Sequence, residues 1–293
     1  MLDRSFAWAI LVWAATVLTL FSFRLLTKGR ARFDRIDKIG GSVLLSQRVM
    51  EAFYWTFGPI VRLCVALGIT ANMITWGSLV SGIAAGFALA LGHFGIGGFL
   101  GLMGMLLDTF DGMVARATQK SSDSGEVLDA AADRYTEFFF IGGLAFYYRQ
   151  DAWFCATAMF ALLAALMISY SSAKAEAMHV PTPRGTMRRH ERGTYLVAGA
   201  VISAFTDGWE LGRFDHPVGV PMLTGLALIA LVGNASAVRR FMAVARSVRA
   251  KELAARAAGA AAPTSQPPVS EDEDDEVEAP VLHAASVDGV HAP

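Results

Sequence analysis

Apolar runs of about bilayer length recur along this chain and leave it few possible folds. They cover residues 6–23, 72–91, 94–114, 127–148, 153–172, 189–205 and 218–238. Each is close to the roughly 20 residues that an α-helix needs to cross the hydrocarbon core. Backbone groups in hydrocarbon must find their hydrogen bonds within the segment, so runs of this length become helices. The expected fold is all-α, a polytopic membrane helical bundle. Composition agrees, with 54% hydrophobic and 17% charged residues, where a soluble chain carries about a quarter charged. The first run lacks a basic n-region and a small-residue cleavage site, so it reads as an anchor and not a signal peptide. Residues 53–67 form a shorter run broken by Arg62, which suits an interfacial amphipathic helix. Cys64 and Cys155 lie in apolar surroundings and read as reduced packing residues.

Basic residues orient the bundle, because lysine and arginine concentrate on the cytoplasmic side. Arg24, Lys28, Arg30, Arg32, Arg35 and Lys38 follow the first run; Arg116 and Lys120 follow the third. Lys174, Arg184, Arg188, Arg189 and Arg192 follow the fifth, and Arg239, Arg240, Arg246, Arg249 and Lys251 follow the last. The opposite loops hold only Arg4, Arg149 and Arg213. This pattern predicts an outside N-terminus and a cytoplasmic C-terminus. The domain reading is an extra N-terminal anchor over 1–28, a basic segment with the interfacial helix over 29–70, a six-span domain over 71–250, and a disordered acidic tail over 257–293. The tail is rich in Ala, Pro, Ser and acids and has no aromatics, too little apolar surface to build a core.

Four carboxylates, Asp108, Asp111, Asp129 and Asp133, lie at or near the ends of two of the apolar runs. Charge at membrane depth is costly, and like charges together cost more. On a helix, Asp108, Asp111, Gly112, Ala115 and Arg116 share one face; Gly125, Asp129, Asp133 and Glu137, spaced by four, share another. The linker 117–124 is short and polar, which predicts that the two helices are antiparallel neighbours facing each other. Hard carboxylate oxygens in one pocket suit Mg²⁺ or Mn²⁺. One or two such ions among four acids can grip a diphosphate. The active site would face the cytoplasm.

The run from Asp108 to Asp133 fits D-x2-D-G-x2-A-R-x8-G-x3-D-x3-D at every fixed position. It resembles the signature of the CDP-alcohol phosphatidyltransferases, bacterial phosphatidylinositol-phosphate or phosphatidylglycerophosphate synthases among them. Weaker resemblance extends over about residues 68–199. Gly68-Ile-Thr-Ala-Asn-Met-Ile-Thr75 is similar to the family's Pro-Asn-x-x-Thr segment, with Ala71 in place of proline. SYSSAKAE from Ser169 and GTMRRHER from Gly185 resemble later segments of the bacterial enzymes.

The resemblance implies a six-span core to which the first run and the tail are additions. It also implies a reaction. A CDP-linked lipid, CDP-diacylglycerol in the usual case, binds with its diphosphate on two ions; an alcohol attacks the β-phosphorus and CMP leaves. By position, Asp108, Asp111, Asp129 and Asp133 are the metal ligands and Asp133 is also the general base. Asn72, Thr75, Asp108, Gly112, Arg116, Ser122 and Gly125 would contact the CDP-lipid. The family further implies a homodimer in a bacterial inner membrane, among membrane lipids; no nucleic-acid partner is expected.

Lys174, Arg188, Arg189 and Arg192 form a second group on the same side as the acids. Arginine forks suit phosphate oxygens, so these residues are candidates for binding a phosphorylated acceptor such as inositol phosphate or glycerol phosphate. Positive-inside topology and lipid headgroups explain the same cluster equally well. The aromatic run 138–140 and 146–148 reads as lipid-facing or interfacial. Two other functions fit Asp-rich membrane helices. A Mg²⁺-dependent prenyltransferase usually has its two Asp motifs on separate bundles, and an ion-coupled transporter often shows an internal repeat. Here both motifs lie in one hairpin and no repeat is visible.

Overall fold

The structure, a computed structural model, describes residues 2–28, 47–119, 122–183, 185–206 and 218–261. The basic segment 29–46, Lys120, Arg184, Arg213 and the tail from 262 lie outside the described residues. The chain divides into two units, Met1–Ala250 and Lys251–Pro293. The first contains every site residue. In the second, residues 251–261 are helical, so helix continues five residues into the segment read as tail.

Every described element is helical: α1 Leu2–Lys28, α2 Gln47–Ala66, α3 Ala71–Ala90, α4 Phe94–Ala117, α5 Asp123–Tyr147, α6 Ala152–Ala177, α7 Arg189–Phe205, α8 Val220–Leu228, a π turn Ile229–Gly233, and α9 Asn234–Ala261. Among the described residues, five stretches are long and apolar enough to cross a membrane: Leu2–Thr27, Ala71–Ala90, Phe94–Ala117, Ala152–Ala177 and Val220–Ala257. The other two expected spans, α5 and α7, fall short for physical reasons. The stretch of α5 up to residue 137 carries Asp123, Glu126, Asp129, Asp133, Arg134 and Glu137, and α7 has 17 residues with a charged first turn. Asp129 and Asp133 lie on the first and Arg189 on the second.

Local sequence sets the helix ends. Gly68, at φ +73°, closes the turn after α2 in a conformation that favours glycine. The Thr70 hydroxyl accepts from Met73 N at 3.3 Å to cap α3. The Ser122 hydroxyl does the same for α5, accepting from Gly125 N at 3.1 Å. Asp151 caps α6 through Trp153 N at 3.0 Å and Phe154 N at 2.9 Å. The cap of α4 comes from far away in sequence. Asp3, in the first turn of α1, accepts from Gly95 N at 2.9 Å and Ile96 N at 2.8 Å. Phe6 meets Phe99 edge-on at 5.1 Å and Trp8 meets Phe205 at 5.1 Å, so α1 lies along α4 and α7.

The core is built where α3 to α8 converge, around Leu89, Phe94, Ile141, Leu144, Ala161 and Met222, all buried. Tyr148 is fully buried there and donates to Val218 O at 2.7 Å. Phe140 is buried too, whereas Phe138 and Phe146 are exposed. The aromatic run is therefore divided between core and surface and is not uniformly lipid-facing, because the helical period turns part of it inward. Cys64 and Cys155 are free and half-buried, as expected of packing residues.

The hairpin geometry differs from the sequence expectation. Helices α4 and α5 each pack extensively on α3 and touch one another only slightly. Glycine makes the α3–α5 seam possible. A Cβ on Gly143 would stand 2.1 Å from Gly86 O, and one on Gly86 would stand 2.3 Å from Phe139 O. The two acidic helices are thus held a small distance apart by a third.

Candidate active site

The gap between α4 and α5 is where the acids meet. Asp108 and Asp111 project from α4 and Asp129 from α5, and one oxygen of each lies within 4.8 Å of the others. Asp111 is 6% exposed and accepts from the Thr75 hydroxyl at 2.7 Å, a link from α3 that fixes its rotamer. Asp129 Oδ1 is buried with no hydrogen-bond partner among the described residues. A buried, unpartnered carboxylate oxygen is costly, and a hard cation on that oxygen removes the cost. Three oxygen donors converging from two helices fit a divalent ion such as Mg²⁺ or Mn²⁺.

Asp133 lies one turn further along α5 and is engaged differently. Arg189, at the start of α7, places Nη2 2.6 Å from Asp133 Oδ1 and Nη1 2.6 Å from Asp108 Oδ2. Arg134 adds a contact to Asp133 Oδ2 at 3.3 Å. One guanidinium fork thus bridges the gap between α4 and α5 with one nitrogen on each carboxylate, a reach that arginine's planar fork supplies and lysine's single ammonium does not. Arg189 was grouped with acceptor ligands on sequence grounds; its contacts here are with the acids.

A cavity of about 270 Å³ opens beside the cluster. Its lining includes Asn72, Thr75, Gly112, Arg116, Ser122 and Gly125, together with Asp111 and Asp129. All the residues expected to contact a CDP group therefore surround one space, except Asp108, which lines a neighbouring cavity of about 260 Å³. The small residues are needed here. A Cβ on Gly112 would press on Arg116 Nη1 at 3.0 Å, and one on Gly125 would lie 3.1 Å from Ser122 Oγ.

A third cavity, of about 450 Å³, is lined by Asp133. Arg188, Arg189, Arg192 and Arg240 also line it, with Ser169, Ser172 and Thr182. Lys174 is exposed and does not line it. Arg192 is 1% exposed and paired with Glu137. Arg240 was read from sequence as one of several anchors after the last span. In the structure it is buried, donates to Thr186 O at 3.2 Å, and has an Nε without a partner among the described residues. A usable signal existed: Ala237, Arg240 and Val244 are spaced by three and four, and all are buried, so this arginine lies on the inward stripe of its helix.

Residues 68–232 match the sequence profile of the CDP-alcohol phosphatidyltransferases. The chain belongs to the CDP-alcohol phosphatidyltransferase family. The match takes in the acids, Arg189 and the residues lining the 270 Å³ cavity, and leaves α1 and Arg240 outside. The chain is 29% identical over 208 residues to the phosphatidylinositol phosphate synthase of Mycobacteroides abscessus, covering 69% of this chain and 90% of that one. Its fold is similar to the crystal structure of Mycobacterium tuberculosis phosphatidylinositol phosphate synthase in complex with manganese and citrate, with TM-score 0.57 and 25% identity over 64% of this chain and 87% of that chain. The same enzyme with CDP-DAG bound gives TM-score 0.55 and 25% identity, over 64% and 92%. Family membership decides against the prenyltransferase and the transporter. The protein is a membrane phosphatidyltransferase with a divalent-metal site.

Proposed function

We propose that the chain transfers a phosphatidyl group from CDP-diacylglycerol to a phosphorylated polyol, inositol phosphate foremost, and releases CMP. The observation that carries the acceptor is the arginine-lined cavity against Asp133. A buried Arg240 whose Nε has no partner among the described residues and the neighbouring Arg188 suit a phosphate better than a neutral alcohol. The names of the similar bacterial enzymes agree with this acceptor.

Two ions, Mg²⁺ or Mn²⁺, held by Asp108, Asp111, Asp129 and Asp133, would neutralise the diphosphate and polarise it for attack. The chain's residues do the rest. Asn72, Thr75, Arg116 and Ser122 surround the nucleotide. Asp133 lines the acceptor cavity and takes the proton of the acceptor hydroxyl as that hydroxyl's oxygen bonds to the β-phosphorus. The bond from that phosphorus to the bridging oxygen breaks, and CMP departs. Arg189 orients Asp133 through its ion pair with that carboxylate. The proposed setting is a bacterial inner membrane, with the site and C-terminus cytoplasmic, residues 71–250 as the catalytic domain and a homodimer as the assembly.

CMP release from CDP-diacylglycerol by the purified protein, run against inositol phosphate, glycerol phosphate, free inositol and serine, tests the reading. Phosphorylated polyols should be used and their neutral counterparts should not; equal use of a neutral acceptor would remove the phosphate from the proposal. Arg188→Ala is expected to raise the acceptor KM on the order of tenfold to a hundredfold, the loss of one charged hydrogen bond worth roughly 1.5–3 kcal/mol. The CDP-lipid KM should stay near the parent value. Steady-state kinetics with each substrate varied in turn checks the split, and a parallel rise in both KM values would count against an acceptor contact.

A further inference from the structure

We propose that Glu137 is a positioning residue for the acceptor side of the site, acting through Arg192; this rests on the transferase reading above. Glu137 lies on α5, four residues after Asp133. Its Oε1 accepts from Arg192 Nε at 3.2 Å and also from Nη2 of the same guanidinium. The remaining nitrogen, Nη1, donates to Met187 O at 2.7 Å. A single fork therefore fastens the segment before α7 to the helix that carries Asp129 and Asp133.

The segment needs fastening. Met187 adopts φ +61°, a left-handed conformation that costs free energy for a long side chain and persists where its surroundings over-determine it. Two sets of contacts do so. Thr186 O accepts from Ser236 Oγ at 2.8 Å and from Arg240 Nη2 at 3.2 Å, both on α9. Met187 O is held from α5 by the Glu137–Arg192 pair. The next two residues to emerge are Arg188, which lines the acceptor cavity, and Arg189, which bridges Asp108 and Asp133. Glu137 lines neither the nucleotide cavity nor the acceptor cavity, only the neighbouring one it shares with Asp108 and Arg189. Stability alone is a weak reason for the pair, since buried ion pairs can often be replaced by apolar residues without loss. The pair instead sets where Arg188 and Arg189 stand relative to Asp133.

Glu137→Gln and Glu137→Asp in the full-length enzyme test this by steady-state kinetics with CDP-diacylglycerol and the phosphorylated acceptor. Glu137→Gln should raise the acceptor KM about tenfold, with the CDP-lipid KM within about twofold of the parent. Glu137→Asp keeps the charge but stops one methylene short, and should give a smaller rise of about threefold. A merely structural role would lower the amount of active enzyme and leave both KM values alone, and that result overturns the proposal. An equal rise in both KM values overturns it as well. If Glu137→Gln does not fold, Glu137→Asp decides by the same split, and an unmoved acceptor KM is then fatal. Absence of CMP release by the parent enzyme is a separate outcome, because it overturns the transferase reading itself.

Discussion

Replacing Asp129 by asparagine is expected to lower turnover about a thousandfold while the protein stays folded. The substitution keeps the size of the side chain and removes its charge. Asp129 Oδ1 makes no hydrogen bond among the described residues, so the folded protein loses no such bond at that atom. Repulsion also falls, because three acids lie within 4.8 Å. What disappears is a cation ligand on the α5 side of the gap. Metal stabilisation of transition-state charge is worth several kcal/mol, and about 4 kcal/mol corresponds to the thousandfold loss. CMP release at saturating Mg²⁺ and thermal unfolding in detergent should be read together. Turnover within tenfold of the parent would show that Asp129 holds no essential ion. By the same logic, exhaustive chelation should stop the wild-type enzyme, and Mg²⁺ or Mn²⁺ should restore it. Zn²⁺ and Ca²⁺ should restore little, since one prefers nitrogen and sulfur donors and the other a larger oxygen cage.

Gly143→Val should leave little folded protein. The new Cβ would start 2.1 Å from the carbonyl oxygen of Gly86. That neighbour is backbone within α3 and has no rotamer to change. Inserting atoms into an ordinary core costs about 1–3 kcal/mol, and more where nothing can move. Here α3 and α5 would have to separate, although α3 supplies Thr75 to Asp111. Gly142 is the control on the same helix, because a Cβ there meets nothing within 4 Å. Gly142→Val should therefore be tolerated. Yield of monodisperse protein and its Tm distinguish the pair, and a parent-like Tm for Gly143→Val would mean the α3–α5 seam is looser than described.

The acids were legible in the sequence because carboxylates are so rare in apolar runs that their spacing has few explanations. Helical periodicity alone then gave the stripe of Asp108, Asp111, Gly112 and Arg116. The partner of Asp111 and the fork of Arg189 were not legible, since both depend on which helices become neighbours. The assumption that a short linker makes its flanking helices pack failed for the same reason. Glycine at positions 86 and 143 draws α5 towards α3, and no local pattern in the linker reports that. Arg240 was hidden by its company, as one arginine among several at the end of a span. Only its place on the buried stripe with Ala237 and Val244 sets it apart.

The slight contact between α4 and α5 ties ion content to durability. These helices meet through the Arg189 fork and through whatever sits among Asp108, Asp111 and Asp129. A cation there acts as a crosslink at a place where side-chain packing is thin. By mass action, an ion at a hundred times its Kd adds about 2.7 kcal/mol to folding stability if the unfolded chain does not bind it. Ion-free preparations should accordingly unfold at lower temperature and regain stability in proportion to the logarithm of added Mg²⁺. The metal content of the buffer is then a structural variable as much as a catalytic one, to be fixed before any two variants of this protein are compared.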